Sequence, residues 1–189
     1  MPRDAKATRD RILATAAKLF GGVGIKSVGV DEVAKRAGVT KRTLYYHFRS
    51  KDDLIAAYLR ERDQPTLDYI VGWMDATQGG LAEQVRAVFD NVARLGRNPK
   101  WRGCGFLRTA AELAALPGHP AVKAASAHKK KVEAEFERRI AAAGLSDPAA
   151  RARQIMLLFD GAFSSMQVHH DASYAEAAGT AAVALVRKS

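Results

Sequence analysis

Lys41, Arg42, Thr43, Tyr45, Tyr46 and His47 bring two cations, a hydroxyl, two phenols and an imidazole into seven consecutive residues, with no carboxylate among them. Such groups donate hydrogen bonds to phosphate oxygens and base edges, and their flat rings pack against sugars and bases. The set lacks a catalytic carboxylate. Contact with a polyanion is therefore the chemistry it is equipped for.

The elements that must hold these groups are written on either side of them. The run GVDEVAKRAGVTKRTLYYHF, Gly29 to Phe48, reads as two short helices joined by a glycine turn. Val33, Ala34 and Ala37 give the first helix a small apolar face, Gly38 supplies the left-handed backbone that ends it, and Thr40 caps the second. Leu44 and Phe48 are four apart, share a face and anchor the second helix to the first. The cationic and aromatic groups are then left on the outside. A glycine turn alone is common in helical hairpins, and Lys or Arg alone on any solvated helix; their conjunction is the pattern of a helix-turn-helix that lays its second helix in a major groove.

Residues from about Thr8 to about Tyr58 resemble the DNA-binding domain of the TetR family, the tetracycline-repressor-like bacterial transcription regulators. The strings that carry the likeness are ILATAAKLFGGVGIKSV, DEVAKRAGVTKRTLYYHF and RSKDDLIAAYL. The sequence departs from the family at Gly29 and Val30, where Thr or Ser is usual, so no hydroxyl is offered to a phosphate there. The resemblance implies that Tyr45, His47 and Lys51 contact phosphates, while Lys41, Arg42, Thr43 and Tyr46 face bases or the sugar-phosphate around them. With Thr40 at the head of the helix, these are the candidate DNA-binding residues. It also implies a regulator, a repressor in the first instance, that binds a pseudo-palindromic operator in double-stranded DNA as a homodimer and leaves it when a small-molecule effector binds. The alternative is a dimeric helical ligand carrier or enzyme with a vestigial DNA-binding module.

The chain has 189 residues and a net charge of +10. Residues 1–63 hold 14 Lys and Arg against 8 Asp and Glu, whereas the remaining 126 hold 16 against 12. Per residue the first third is about three times as basic, the footprint of a module that faces nucleic acid. Arg3, Lys6, Arg9 and Arg11 are candidates for further phosphate contacts. A single cysteine, Cys104, excludes an intrachain disulfide. No apolar run is long enough for a secretory signal or a membrane span, so a cytoplasmic protein is expected, with no membrane partner.

The rest of the chain is rich in alanine, has apolar residues spaced by three and four, and shows no alternating strand pattern. The fold class is all-α: an N-terminal three-helix helix-turn-helix domain over residues 1–50, a linking helix over 51–64, and a larger helical ligand-binding and dimerisation domain over 65–189. Thr8 is expected to cap the first helix, Ser50 with Asp53 to box the fourth, Pro65 to kink or break it, and Ser173 with Glu176 to box the last. The helix opened by Pro148 contains IMLLFDGAF, apolar on nearly every side, which asks for cover on two sides. A homodimer through the last two long helices supplies it, with Ile155, Leu158, Phe163, Met166, Ala181 and Leu185 as the candidate interface. Tyr69, Trp73, Phe89, Phe106, Phe159 and Phe163, with Glu112, Asp90 or Asp160 to hold a polar or cationic group, are the candidate ligand-binding residues; each apolar one taken singly reads first as an ordinary core residue.

Lys129, Lys130 and Lys131 precede Glu133 and Glu135 at helical spacing and read as a solvated face, with Lys129 paired to Glu133. His169 and His170 are adjacent and so do not form a helical chelating pair. No metal site, cofactor-binding motif or catalytic constellation emerges.

Overall fold

The computed structural model describes residues 3–187 of the chain. All regular structure among them is helical: α1 (Arg3–Val23), α2 (Val30–Arg36), α3 (Lys41–His47), α4 (Lys51–Asp75), α5 (Leu81–Gly96), α6 (Gly105–Glu112), α7 (Pro120–Ala142), α8 (Pro148–His169) and α9 (Ser173–Ala184). None of these is long and apolar enough to cross a membrane.

The chain divides into two compact units. One holds the residues up to Asp63 together with Gly105–Ser126, and the other holds Gln64–Cys104 with Ala127–Ser189. This differs from a division at residues 50 and 64, because α6 joins the N-terminal helices. The reason is a pair of long-range polar contacts. Arg108 Nη1 donates to the carbonyl of Gly21 at 2.8 Å, and Glu112 Oε2 accepts from the Lys26 backbone N–H at 2.9 Å. Gly24, between them, has φ +94, and a Cβ there would stand 3.0 Å from Glu112 Oε1, so the loop after α1 needs glycine both for its backbone and for its space.

In the first unit, Ile12, Leu13, Ala16, Leu19 and Phe20 of α1 are all buried, the stripe their spacing predicts. The helix itself starts at Arg3, so Thr8 lies inside it rather than capping it. Ser50 Oγ accepts from Asp53 N–H at 3.1 Å, and Asp53 Oδ2 reaches back to the Arg49 N–H at 3.3 Å, a box displaced by one residue. Leu54 to Leu59 are then buried on every side of α4. His119 fixes the start of α7 in the same unit: its Nδ1 accepts from Ala121 N–H at 3.0 Å, and its Nε2 lies 3.2 Å from Asp52 Oδ1 in the first turn of α4.

The second unit is built on α5, α8 and α9 with the later parts of α4 and α7. Val85, Val88, Phe89 and Val92 of α5 meet Ile155, Phe159, Ala162 and Met166 of α8 and Ala175 and Ala182 of α9 in one buried cluster. Gly179 brings α9 so close to α5 that an added Cβ would sit 2.7 Å from the Cβ of Phe89. Helix α4 runs through Pro65 without ending there. Arg139 ties three helices together, donating to Asp75 and Glu135 at 2.6 Å and to Gln84 at 3.0 Å. Ser173 does not cap α9. Its N-cap is Ala172, and Asp171 before it accepts from the Ser173 N–H at 2.8 Å, which holds the Asp171 carboxyl below the usual range, while Glu176 pairs with Arg97.

Candidate functional site

Two local devices aim α3. Gly38, with φ +64, turns the chain after α2, and Thr40 Oγ1 accepts from the Thr43 N–H at 3.0 Å, capping the first turn. Leu44 and Phe48 are buried, which pins the inner face, and Arg9 of α1 lies over the Phe48 ring with its guanidinium carbon 5.1 Å from the centroid. What is left outside is the predicted set. Lys41, Arg42, Tyr45 and Tyr46 are exposed, the last at 76%, with Thr43 and His47 half-buried beside them. An exposed tyrosine pair on a seven-residue helix is not explained by packing.

The electrostatics of the face are less free than its sequence implies. Lys41 Nζ is 3.0 Å from Asp31 Oδ2 on α2, and this hydrogen bond raises the lysine pKa above its ordinary value. A phosphate must compete with Asp31 for that ammonium. Arg42 is exposed, while Lys51, half-buried, opens α4 immediately before Asp52 and Asp53. A cation at a helix N-terminus opposes the helix dipole, so helix stability does not account for it. His47 Nδ1 is buried with no hydrogen-bond partner, a further cost that folding does not require. Among the residues near α1, Lys6 and Arg11 are exposed, Arg9 is occupied by Phe48, and the Arg3 side chain lies outside what is described.

The profile of bacterial regulatory proteins of the tetR family matches residues 12–58, the span that contains this face and its supports. A TetR-family transcriptional regulator of known structure from Streptomyces coelicolor is 33% identical, with 95% of this chain and 94% of that one covered and a TM-score of 0.83. The chain belongs to the TetR family of transcriptional regulators. The reduced form of NemR from E. coli has the same fold, at 20% identity and a TM-score of 0.83, with 96% of this chain and 98% of that one covered. The transcriptional activator FasR of Mycolicibacterium smegmatis is 35% identical over 95 residues, 50% of this chain and 37% of that protein. The chain spans less than half the length of the first curated relatives it matches, 46% and 37%.

In this TetR-family chain the expected ligand-binding residues are divided between the two units. Trp73, Phe89, Phe159, Asp160 and Phe163 belong to the second unit, whereas Phe106 and Glu112 belong to the first. Phe106 is a buried core residue, and Glu112 is committed to the Lys26 N–H. Tyr69 is 66% exposed and lines no interior. The remaining rings do cluster: Phe159 stands edge-on to Phe89 at 6.0 Å and to Phe163 at 5.1 Å, and Phe163 stacks on Trp101 at 6.2 Å.

The expected interface residues also need correction. Ile155 and Met166 are fully buried in the chain's own core, and Leu158, Phe163 and Leu185 pack against that core. Of the six, Ala181 is exposed. The outward face of α8 is instead Ala150, Gln154, Leu157, Gly161, Ser164 and Val168, spaced alternately by four and three, with Leu157 71% and Val168 70% exposed. Beside it α9 exposes Tyr174, Ala177, Ala181 and Ala184. An apolar run all round a helix conceals which phase faces inward, so sequence found the helix and not its free side. Asp31 and Lys129, which pairs with Asp160 rather than Glu133, were missed for a like reason: their partners are remote in sequence.

Proposed function

We propose that the protein is a dimeric transcriptional repressor that binds a pseudo-palindromic operator through the outer face of α3 and is released by a small-molecule effector held in its second unit. The observation that carries the DNA contact is the exposed Lys41, Arg42, Tyr45 and Tyr46 set on a helix whose other side is buried. Tyr45, His47 and Lys51 are read as phosphate contacts, with Lys41, Arg42, Thr43 and Tyr46 toward the bases and Thr40 capping between them. One copy reaches one half-site. The second copy is supplied by the free faces of α8 and α9, where Leu157, Gly161, Val168 and Ala181 form an apolar seam with small residues for close approach. The effector reading rests on Trp73, Phe89, Phe159, Asp160 and Phe163, a ring cluster beside a carboxylate.

Release follows from differential binding. The effector must prefer a form whose two α3 helices no longer match successive grooves, about 34–36 Å apart. Helices α4 and α7 contribute to both units and are the covalent links along which such a preference can act. Likeness to the activator FasR favours a second reading, activation, which a reporter assayed with and without the gene separates. The test of the whole is to recover the genomic fragments the protein binds and to compete them against random DNA. Preference for the fragment by about a thousandfold, with a steep fall in affinity as salt rises, is the expected result. Equal binding to both would make it an architectural protein instead.

A further inference from the structure

The second unit keeps an ammonium among its aromatic rings. Lys129 Nζ, from α7, is 2.5 Å from Asp160 Oδ1 of α8 and lies over the Phe159 and Phe163 rings, 5.3 and 5.8 Å from their centroids. Phe163 is backed by Trp101, stacked at an interplanar angle of 20°. The Lys129 side chain is only 16% exposed, while Lys130 and Lys131 beside it face solvent. Desolvating a lysine in this way is costly, and a lysine turned outward like its neighbours avoids that cost. Its position shows what the surrounding groups accept: a single positive charge, one side on a carboxylate and the other on ring faces.

We propose that this is a cation site occupied by the chain's own lysine, and that its ligand is a monovalent organic cation, such as a quaternary ammonium compound, which takes the place of the Lys129 ammonium against Asp160, Phe159 and Phe163. Three features select that class. The ring faces carry negative quadrupole density and attract cations while repelling anions. Asp160 sits on a short side chain fixed to α8, whereas Lys129 rides on a flexible four-carbon stem that can swing to solvent, so the lysine is the partner that leaves. Among the described residues no three His, Cys, Asp or Glu gather as a metal would need, and one carboxylate alone does not make a metal site. Asp160 stays paired throughout the exchange, and the displaced Lys129 ammonium is compensated by solvation. The proposal rests on the effector-site reading above and names the class of effector.

Choline and its neutral isostere 3,3-dimethylbutan-1-ol are the probes, titrated calorimetrically into the full-length protein. Removing the tethered competitor with Lys129→Met should tighten choline binding about tenfold over wild type, with the alcohol bound much more weakly. Adding Asp160→Asn to that variant should lose about tenfold. Lys129→Gln is measured alongside, so that a folding defect in the Met variant, detected by circular dichroism, leaves a second reading of the same effect. Choline bound no better by the lysine variants than by wild type, or no better than the alcohol, overturns the proposal. Operator binding by the wild-type protein is measured in parallel. If it is specific while choline fails, the cation assignment alone is wrong; if it is absent, the regulator reading falls with it.

Discussion

At the scale of single residues, the DNA-facing helix is as much restrained as equipped. Lys41 is the first cation of α3, yet its ammonium is shared with Asp31 of α2, and both are largely solvated. The raised lysine pKa means that the pair is present below the ordinary lysine range and is lost only as pH climbs through the raised value, so it persists at neutral pH. Asp31→Asn should then strengthen DNA binding several-fold at low salt, since it frees Lys41 and removes a negative charge that a phosphate must approach. The gain should shrink as salt rises, because exposed charges are screened over about 10 Å at 0.1 M. Fluorescence anisotropy at two salt concentrations reads this directly, and an affinity unchanged at both would mean that Lys41 makes no contact with the DNA. Most of this face was legible in the sequence, since Gly38, Thr40, Leu44 and Phe48 are local signals that aim it. Asp31 was not, because its pairing depends on how α2 and α3 cross.

At the scale of elements, the tightest requirement is for space. Gly179 lets α9 lie against Phe89, so Gly179→Ala should cost about 1–3 kcal/mol in denaturant unfolding, as overpacked cores do. Gly72, inside α4 with open space where a Cβ would stand, gives the contrast: Gly72→Ala should stabilise by about 0.5–1 kcal/mol through helix propensity. A Gly179 substitution as mild as that at Gly72 would show that α9 moves away from α5 easily. The difference between them is not visible in sequence, where both glycines stand in helical runs. The same limit explains Thr8 and Ser173, whose types suit a cap although Thr8 lies inside α1 and Ser173 is the first residue of α9. It explains Lys129 too, for a run of three lysines reads as one solvated face although one of the three turns inward.

At the scale of the molecule, a two-half-site operator needs two copies of α3. The seam on α8 holds Leu157 and Val168 almost bare, with Gly161 between them, and nothing among the described residues covers it. Leu157→Asp should convert the dimer to a monomer in sedimentation velocity with its helical circular dichroism unchanged, and should weaken operator binding because each half-site is then held alone. An intact dimer would move the interface elsewhere. The all-α fold class was readable from composition and spacing, since three-and-four periodicity and capping residues are local. The assignment of α6 to the N-terminal unit was not, as it depends on Arg108 and Glu112 reaching back across the chain to Gly21 and Lys26. The central claim is that the outer face of α3 binds DNA, and it is tested most directly by the affinity of Tyr45→Ala for a recovered genomic fragment, with circular dichroism and dimer mass measured on the same sample. A loss of about tenfold or more with both controls unchanged is the expected result; wild-type affinity in the variant would show that this face does not bind DNA.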